Sequence, residues 1–418
     1  MDQMIIRGGR PLRGAVAVSG SKNATLPILM ASLLTREPLV LHNIPRLRDV
    51  RTAIALLEGL GATARWLDDH TLEICAAEVH EHEASYDLVK TMRASFVVLG
   101  PMLARTGRAR VSTPGGCAIG ARPVNLHIGG IRALGARIQL RNGYVEAHAD
   151  HLAGARLWLD GPSVGATENI MMAAVLARGR TTIENAAREP EVQDLAALLI
   201  AMGAEIEGAG THVITIDGVQ CLHGAEHRVI PDRIEAGSLM IAAAITGGDV
   251  SVGNAPTGHL DAVIAKLRET GAEVTALERG LRVARLGALR PVELRTLPYP
   301  GFPTDLQAQM MALLTQAGGT SVITETIFEN RFMHAPELIR MGADIVMKGP
   351  TAVVRGPSHL SGAPVMATDL RASMGLILAG LAAENHTQVS RVYHLDRGYE
   401  ALDVKLRALG ADISRVAE

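Results

Sequence analysis

Aromatic residues are scarce in this chain: only 3% of its 418 positions are Phe, Tyr or Trp. Without them there is no run of rings on which successive nucleic-acid bases stack, and any core must be aliphatic. An excess of positive charge is also missing. A formal net charge of −2 argues against a general nucleic-acid binder, which is strongly basic. No apolar run reaches the ~18 residues of a transmembrane helix, so no membrane partner is expected. The opening MDQMIIRGGR lacks the charged-then-apolar layout of a signal peptide. Cysteine is nearly absent. Cys75, Cys117 and Cys221 are odd in number and far apart, which excludes a disulfide framework or a zinc pattern. No Walker sequence and no metal-spaced cluster of His or carboxylates stands out, so neither metal nor cofactor is expected. A cytoplasmic, reducing setting fits these absences, and a monomer is consistent with them.

What the chain does have is apolar content, at 48%, enough for a large core and two or three domains. It also has a repeat. LLEGLGA, IRALGA, LIAMGA, KLRETGA, LIRMGA and KLRALGA place glycines at Gly61, Gly135, Gly203, Gly271, Gly342 and Gly410, spaced by 74, 68, 68, 71 and 68 residues. Regular self-similarity at this scale marks a repeated supersecondary unit. Each copy reads as an amphipathic helix ended by a glycine cap, then an alternating strand such as ATARWL, ARIQL, AEIEG or ADIVMK. A second helix precedes each glycine by roughly forty residues and is too apolar to be anything but buried. Its starts are SKNATLPILMAS, TMRASFVVLGPM, GATENIMMAAVLA, DRIEAGSLMIAAAI, PTDLQAQMMALL and TDLRASMGLILAG. Six such units predict an α/β protein of two domains with three units each. A solenoid is the other architecture a repeat permits, but these units are long for one.

The starts of the buried helices carry Lys22, Arg93 and Arg371. Helix N-termini side by side make an anion-attracting surface, and arginine forks suit phosphate and carboxylate. Arg122, Arg331 and Arg397 lie in Gly/Pro-bearing turns, where ligands are met. Asp305, in GFPTDLQAQ, reads either as a helix cap or as a general base among cations, and Asp369 occupies the same setting. Glu189 reads as capping or domain-orienting. Cys117 lies in the loop STPGGCAIGARP, five residues before Arg122. An ordinary thiol titrates near ~8.5, and cations lower that. It is open to reading as nucleophile, general acid or passive loop residue, and no His pairing for a protease-like dyad is visible.

SGSKN, KTMRAS, PGGCAIGARPVNLH, SVGATENIMMAA, NAAREPE, FPTDLQAQ, ITETIFENRFMH, MATDLRAS and YHLDRGYE occur in order along the whole chain. Together they resemble the UDP-N-acetylglucosamine 1-carboxyvinyltransferases, the enolpyruvyl transferases of the first committed step of peptidoglycan synthesis. The resemblance implies a two-domain inside-out α/β barrel of six units, with domains 22–229 and 1–21 plus 230–418 and an active site in the cleft that they form. It implies transfer of enolpyruvyl from phosphoenolpyruvate to the 3′-hydroxyl of UDP-N-acetylglucosamine, with phosphate released. By motif, Cys117 matches the general acid that also reacts with fosfomycin and can bond to phosphoenolpyruvate. Asp305 matches the carboxylate that takes the hydroxyl proton. Lys22, Arg122 and Arg397 match the phosphate grip, with Lys22 and Arg397 counted among the catalytic groups. Asn23 and Arg371 match further phosphoenolpyruvate positions. The UDP-sugar positions are Asn23, Arg93, Arg122, Pro123, Val124, Asn125, Leu126, Ser163, Val164, Asp305 and Ile327.

Two departures bear on affinity rather than chemistry. The family often carries Asp where this chain has Asn125, and a lysine near Gly161. Two rivals share the fold: the sister transferase acting on shikimate 3-phosphate, and a non-catalytic nucleotide-sugar-binding protein. The cysteine loop favours the UDP-sugar enzyme over the first. The joint presence of Lys22, Cys117, Asp305 and Arg397 argues against the second.

Overall fold

The structure, a computed structural model, describes residues 2–89, 92–113 and 124–417, with the backbone alone for Leu88, Arg93 and Ala94. Among the described residues the strands form six four-stranded sheets of one design. In one of them Glu293–Arg295 runs parallel to Gly319–Thr324, which pairs antiparallel with Thr351–Gly356, and that strand pairs antiparallel with Asp344–Lys348. The buried helix Gln307–Leu314 links the first two strands, and the helix Ala335–Arg340 precedes the edge strand. Six separate sheets, rather than one closed ring of strands, carry the α/β architecture.

The helix that precedes each edge strand ends in the same way, and the reason is the repeated glycine. Gly61, Gly135, Gly203, Gly271, Gly342 and Gly410 all have φ between +94° and +112°, a region that side chains with Cβ avoid. The N–H of Gly61 reaches the carbonyl of Glu58, and that of Ala62 reaches Leu57. This is a Schellman ending, and the other five glycines repeat it with their own following alanine. It turns the chain straight into the edge strand, so the spacing of the glycines is the spacing of the sheets.

Two compact units are present. One gathers the described residues up to Ser19 and from Pro231 onward; the other gathers those from Gly20 to Ile230. Each holds three sheets and its own aliphatic core. Three strands complete sheets whose other members lie far along the chain. Asp2–Arg7 sits inside a sheet with His386–Ser390 and Asp412–Ala417, in a register that sets Met4 opposite both Val389 and Arg415. Arg13–Ala17 runs parallel to Asp249–Gly253. Glu226–Arg228 runs parallel to Leu39–His42.

In the first unit the helices Arg233–Thr246, Gln307–Leu314 and Leu370–Ala382 pack on one another. Leu376, Ile377 and Leu378 have no exposed surface. Burying a side chain of that size contributes about 1.5–3 kcal/mol. Two of the expected buried helices begin as tighter turns. Arg93–Val98 is a 3₁₀ segment before the α-helix Leu99–Thr106, and Thr304–Leu306 is a 3₁₀ turn before Gln307–Leu314. In the first case Pro101 falls in the opening α-turn, where its missing N–H costs no helical bond. Among the described residues no helix is long and apolar enough to cross a membrane.

Candidate active site

In the unit spanning Gly20 to Ile230, Lys22 is the first residue of the helix Lys22–Ala31. Ser21 caps that helix, accepting from the N–H of Ala24 at 3.3 Å. The ammonium of Lys22 stands 3.4 Å from the carboxylate of Asp49, which is itself buried in the first turn of the helix Arg48–Gly59. Asn23 follows, half-buried. Pro27 lies inside this helix and has no N–H, so the carbonyl of Asn23 receives no i+4 bond. Ser163 caps the helix Val164–Ala174 by accepting from Ala166 N–H at 3.4 Å. Val124 holds the N-cap position of the helix Asn125–Ala133. Asn125 is exposed there, while Val124 and Leu126 pack on the core. Two residues on, the ring of His127 stands edge-on to Phe96 and is hydrogen-bonded to Asn169 at 3.0 Å; burial pulls its pKa down to about 4. Arg93 opens its 3₁₀ segment. Cys117, Arg122 and Pro123 lie outside the described residues.

The other unit carries the densest polar arrangement. The carboxylate of Asp305 is turned onto two buried arginines: Oδ1 accepts from Arg331 Nη2 at 2.8 Å, and Oδ2 from Arg371 Nη2 at 2.7 Å. The capping reading of Asp305 is therefore corrected. Pro303 and Leu306 hold the N-cap positions of its turn and of the following helix. Two cations in reach outweigh what a cap would contribute. Asp369 does cap, accepting from the N–H groups of Arg371 and Ala372 at 2.8 and 3.1 Å. Glu189 holds the N-cap position of the helix Pro190–Ala201 but makes no side-chain cap bond. Burial alone would pull the Arg371 guanidinium down, but the Asp305 charge outweighs it, and the group is held above its ordinary value.

Several partners escaped sequence reasoning. Glu325, 4% exposed, accepts from the hydroxyls of Thr296 and Thr304 at 2.9 Å each. It also accepts from the main-chain N–H of Ile327 at 2.8 Å and of Phe328 at 3.2 Å, which fixes the turn bearing Ile327. Thr304 in turn accepts from Arg331 Nη1 at 3.2 Å, so Glu325 braces the arginine that holds Asp305. Beneath these lie Ser238, Gln309 and Tyr399, all buried. Gln309 donates to the Asp305 carbonyl at 2.9 Å and to the Tyr399 hydroxyl at 3.0 Å. The available signal was a polar residue inside a buried apolar run, Gln309 in QAQMMALL. Arg397 ends the 3₁₀ turn Val392–Arg397, which is entered through Arg391 at φ +59°.

In the one unit a carboxylate between two guanidinium groups suits proton transfer beside anions, and in the other a lysine at a helix start suits an anionic ligand. The family model for EPSP synthase (3-phosphoshikimate 1-carboxyvinyltransferase) matches residues 6–406. Proteins named UDP-N-acetylglucosamine 1-carboxyvinyltransferase from Geobacter metallireducens and Geotalea uraniireducens are 57% and 58% identical to this chain over 418 residues. The Geobacter protein is covered in full, as is this chain. The one from Gluconobacter oxydans is 58% identical over 419 residues, again with both chains fully covered. Among solved structures, the enolpyruvyl transferase NikO from Streptomyces tendae superposes with a TM-score of 0.91 at 28% identity, covering 100% of this chain and 99% of its own. EPSP synthase from Acinetobacter baumannii does so at 0.78 and 18% identity, covering 100% of both chains, a likeness of fold alone. The fold is thus the two-domain inside-out α/β architecture of the enolpyruvyl transferases. The chain belongs to the EPSP synthase family, and within it to the UDP-N-acetylglucosamine 1-carboxyvinyltransferases.

Proposed function

We propose that this enzyme transfers the enolpyruvyl group of phosphoenolpyruvate to the 3′-hydroxyl of UDP-N-acetylglucosamine and releases phosphate, in the cytoplasm, as the first committed step of peptidoglycan synthesis. The observation that carries the reading is full-length identity of 57–58% to relatives bearing that activity in their name. The proposed groups come from both units, with domains 22–229 and 1–21 plus 230–418.

The chemistry assigns the roles. A proton is added at C3 of phosphoenolpyruvate while the sugar hydroxyl oxygen bonds to C2, giving a tetrahedral intermediate. Loss of a C3 proton and of phosphate then restores the double bond. Cys117 supplies the C3 proton and is the residue that fosfomycin would alkylate. Asp305 takes the hydroxyl proton. Lys22, Arg122 and Arg397 hold the phosphate, with Asn23 and Arg371 beside it. Arg93, Pro123, Val124, Asn125, Leu126, Ser163, Val164 and Ile327 receive the UDP-sugar. Fixed cations stabilise the charge of the intermediate without reorganising at the moment of reaction.

The test is phosphate release from phosphoenolpyruvate with and without UDP-N-acetylglucosamine, in wild type and Cys117→Ser. Release that depends on the UDP-sugar and collapses in the variant is the expected result. No release with the UDP-sugar, but release with shikimate 3-phosphate, would overturn the acceptor assignment.

A further inference from the structure

Asp305 is held as an anion from both sides. A carboxylate that accepts two charge-assisted hydrogen bonds binds a proton weakly, which is a poor resting state for the base of the proposed transfer. The two arginines that hold it are not equivalent. Arg331 uses its second nitrogen, Nη1, on Thr304, which Glu325 braces. Arg371 does not. Its Nη2 bonds Asp305, while its Nη1 is buried with no hydrogen-bond partner among the described residues. The nearby acids do not relieve it. Asp369 turns Oδ1 onto the N–H groups of Arg371 and Ala372, Asp232 turns Oδ1 onto those of Ile234 and Glu235, and neither carboxylate reaches Nη1 at hydrogen-bond distance. Tyr399 lies with its ring centre 5.6 Å from the guanidinium carbon, and its hydroxyl is shared among Ser238, Gln309 and the Arg371 guanidinium, short of a hydrogen bond to Nη1. An unmade donor on a buried guanidinium bears the full desolvation penalty of that group. The position therefore suits an acceptor beyond those that the described residues place within hydrogen-bond distance of Nη1.

We propose that Arg371 is a latch on Asp305 that the anionic co-substrate opens. An oxygen of phosphoenolpyruvate takes Nη1 of Arg371, draws the guanidinium charge away from Oδ2, and leaves Asp305 able to accept the hydroxyl proton. The step exchanges hydrogen bonds and makes or breaks no covalent bond. It rests on the reading of Asp305 as the base, and it adds that the base is armed by the other substrate. Coupling between two sites is reciprocal. If the anion loosens the hold on Asp305, then removing the Asp305 charge must tighten the anion.

The measurement is titration of phosphoenolpyruvate alone into wild type and Asp305→Asn by calorimetry. Asn keeps the shape and an acceptor oxygen but removes the competing charge. Binding about tenfold tighter in the variant, the size of one hydrogen bond to a charged group, is expected. Phosphate release by the same variant should fall by about a hundredfold or more. Equal or weaker binding overturns the latch. Failure of the transfer reading would show separately, as no UDP-sugar-dependent phosphate release from wild type. Arg371→Met in both backgrounds closes the cycle. With Arg371 gone, Asp305→Asn should leave affinity unchanged; a gain that persists assigns the anion to Arg331 and overturns the proposal. Should Asp305→Asn be too unstable to titrate, the shift in its melting midpoint with phosphoenolpyruvate reads the same coupling. A larger shift than in wild type supports the latch, and an equal or smaller one overturns it.

Discussion

Arg415 grips Asp396 with two parallel hydrogen bonds of 2.7 and 2.6 Å, one residue before Arg397. The pairing ties the turn that presents Arg397 to the last strand, Asp412–Ala417, and Arg415 also reaches Asp2 at 2.7 Å. All three side chains are at least 30% exposed, so the pair contributes under about 1 kcal/mol to stability. Its effect on placement is larger. Arg415→Ala should leave the melting midpoint nearly unchanged while raising KM for phosphoenolpyruvate by about tenfold, the scale of a small misplacement of a binding group. Steady-state kinetics with calorimetric melting separates the two.

The repeated glycines differ in what a Cβ would meet. At Gly135 nothing lies within 4 Å, whereas at Gly61 the ring of His80 comes within 2.7 Å and the carbonyl of Glu78 within 2.8 Å. Both have left-handed φ, +96° and +112°. Gly135→Ala should cost about 1–2 kcal/mol from backbone strain alone. Gly61→Ala should cost more, because backbone must move as well. Urea unfolding of the two variants compares them directly.

His334 is 1% exposed, and burial, with the Arg331 charge, pulls its pKa down to about 4 despite the opposing pull of Asp369. The unfolded chain therefore binds a proton at this residue below about 6.5 that the folded chain refuses until about 4. Stability from this residue is complete above pH 6.5 and is lost as pH falls from there to about 4, by up to about 3 kcal/mol. His334→Gln should flatten that part of the stability–pH curve, measured by denaturant unfolding at several pH values.

The hydroxyls beneath Asp305 have one consistent proton assignment. Ser238 donates to the carbonyl of Ile234 at 2.8 Å, so Tyr399 donates to Ser238 at 2.8 Å and accepts from Gln309. Burial raises the Tyr399 pKa, which keeps it a neutral donor. Tyr399→Phe removes one partner from Ser238, which keeps Ile234 and Gln309, and one from Gln309, which keeps Ser238 at 3.1 Å and the Asp305 carbonyl, and should cost about 0.5–1.5 kcal/mol. Because Gln309 also holds the Asp305 carbonyl, kcat should fall several-fold with KM for UDP-N-acetylglucosamine unchanged. A change confined to KM would sink this account.

Local pattern carried much of this protein. The left-handed endings at six glycines, the buried helices and the edge strands follow from chain-local rules: a Schellman ending needs a residue without Cβ, and a helix apolar on every side must be covered. Lys22 at a helix start was legible for the same reason, since a helix start is set by neighbours in sequence, whereas Asp369, in the same setting as Asp305, was left between cap and base. Cys117 and Arg122 drew attention through the Gly/Pro-rich stretch that carries them and their spacing of five residues.

Tertiary structure decided the rest. Alternation of period two says which face of Asp2–Arg7 is buried, but not that its partners are His386–Ser390 and Asp412–Ala417. A strand's pattern specifies a face and leaves the neighbour open. The sequence likewise left Asp305 between cap and base. Its carboxylate points where it does because Arg331 and Arg371, 26 and 66 residues away, are packed on either side of it. Charge attraction depends on distance in space, and folding alone sets that distance.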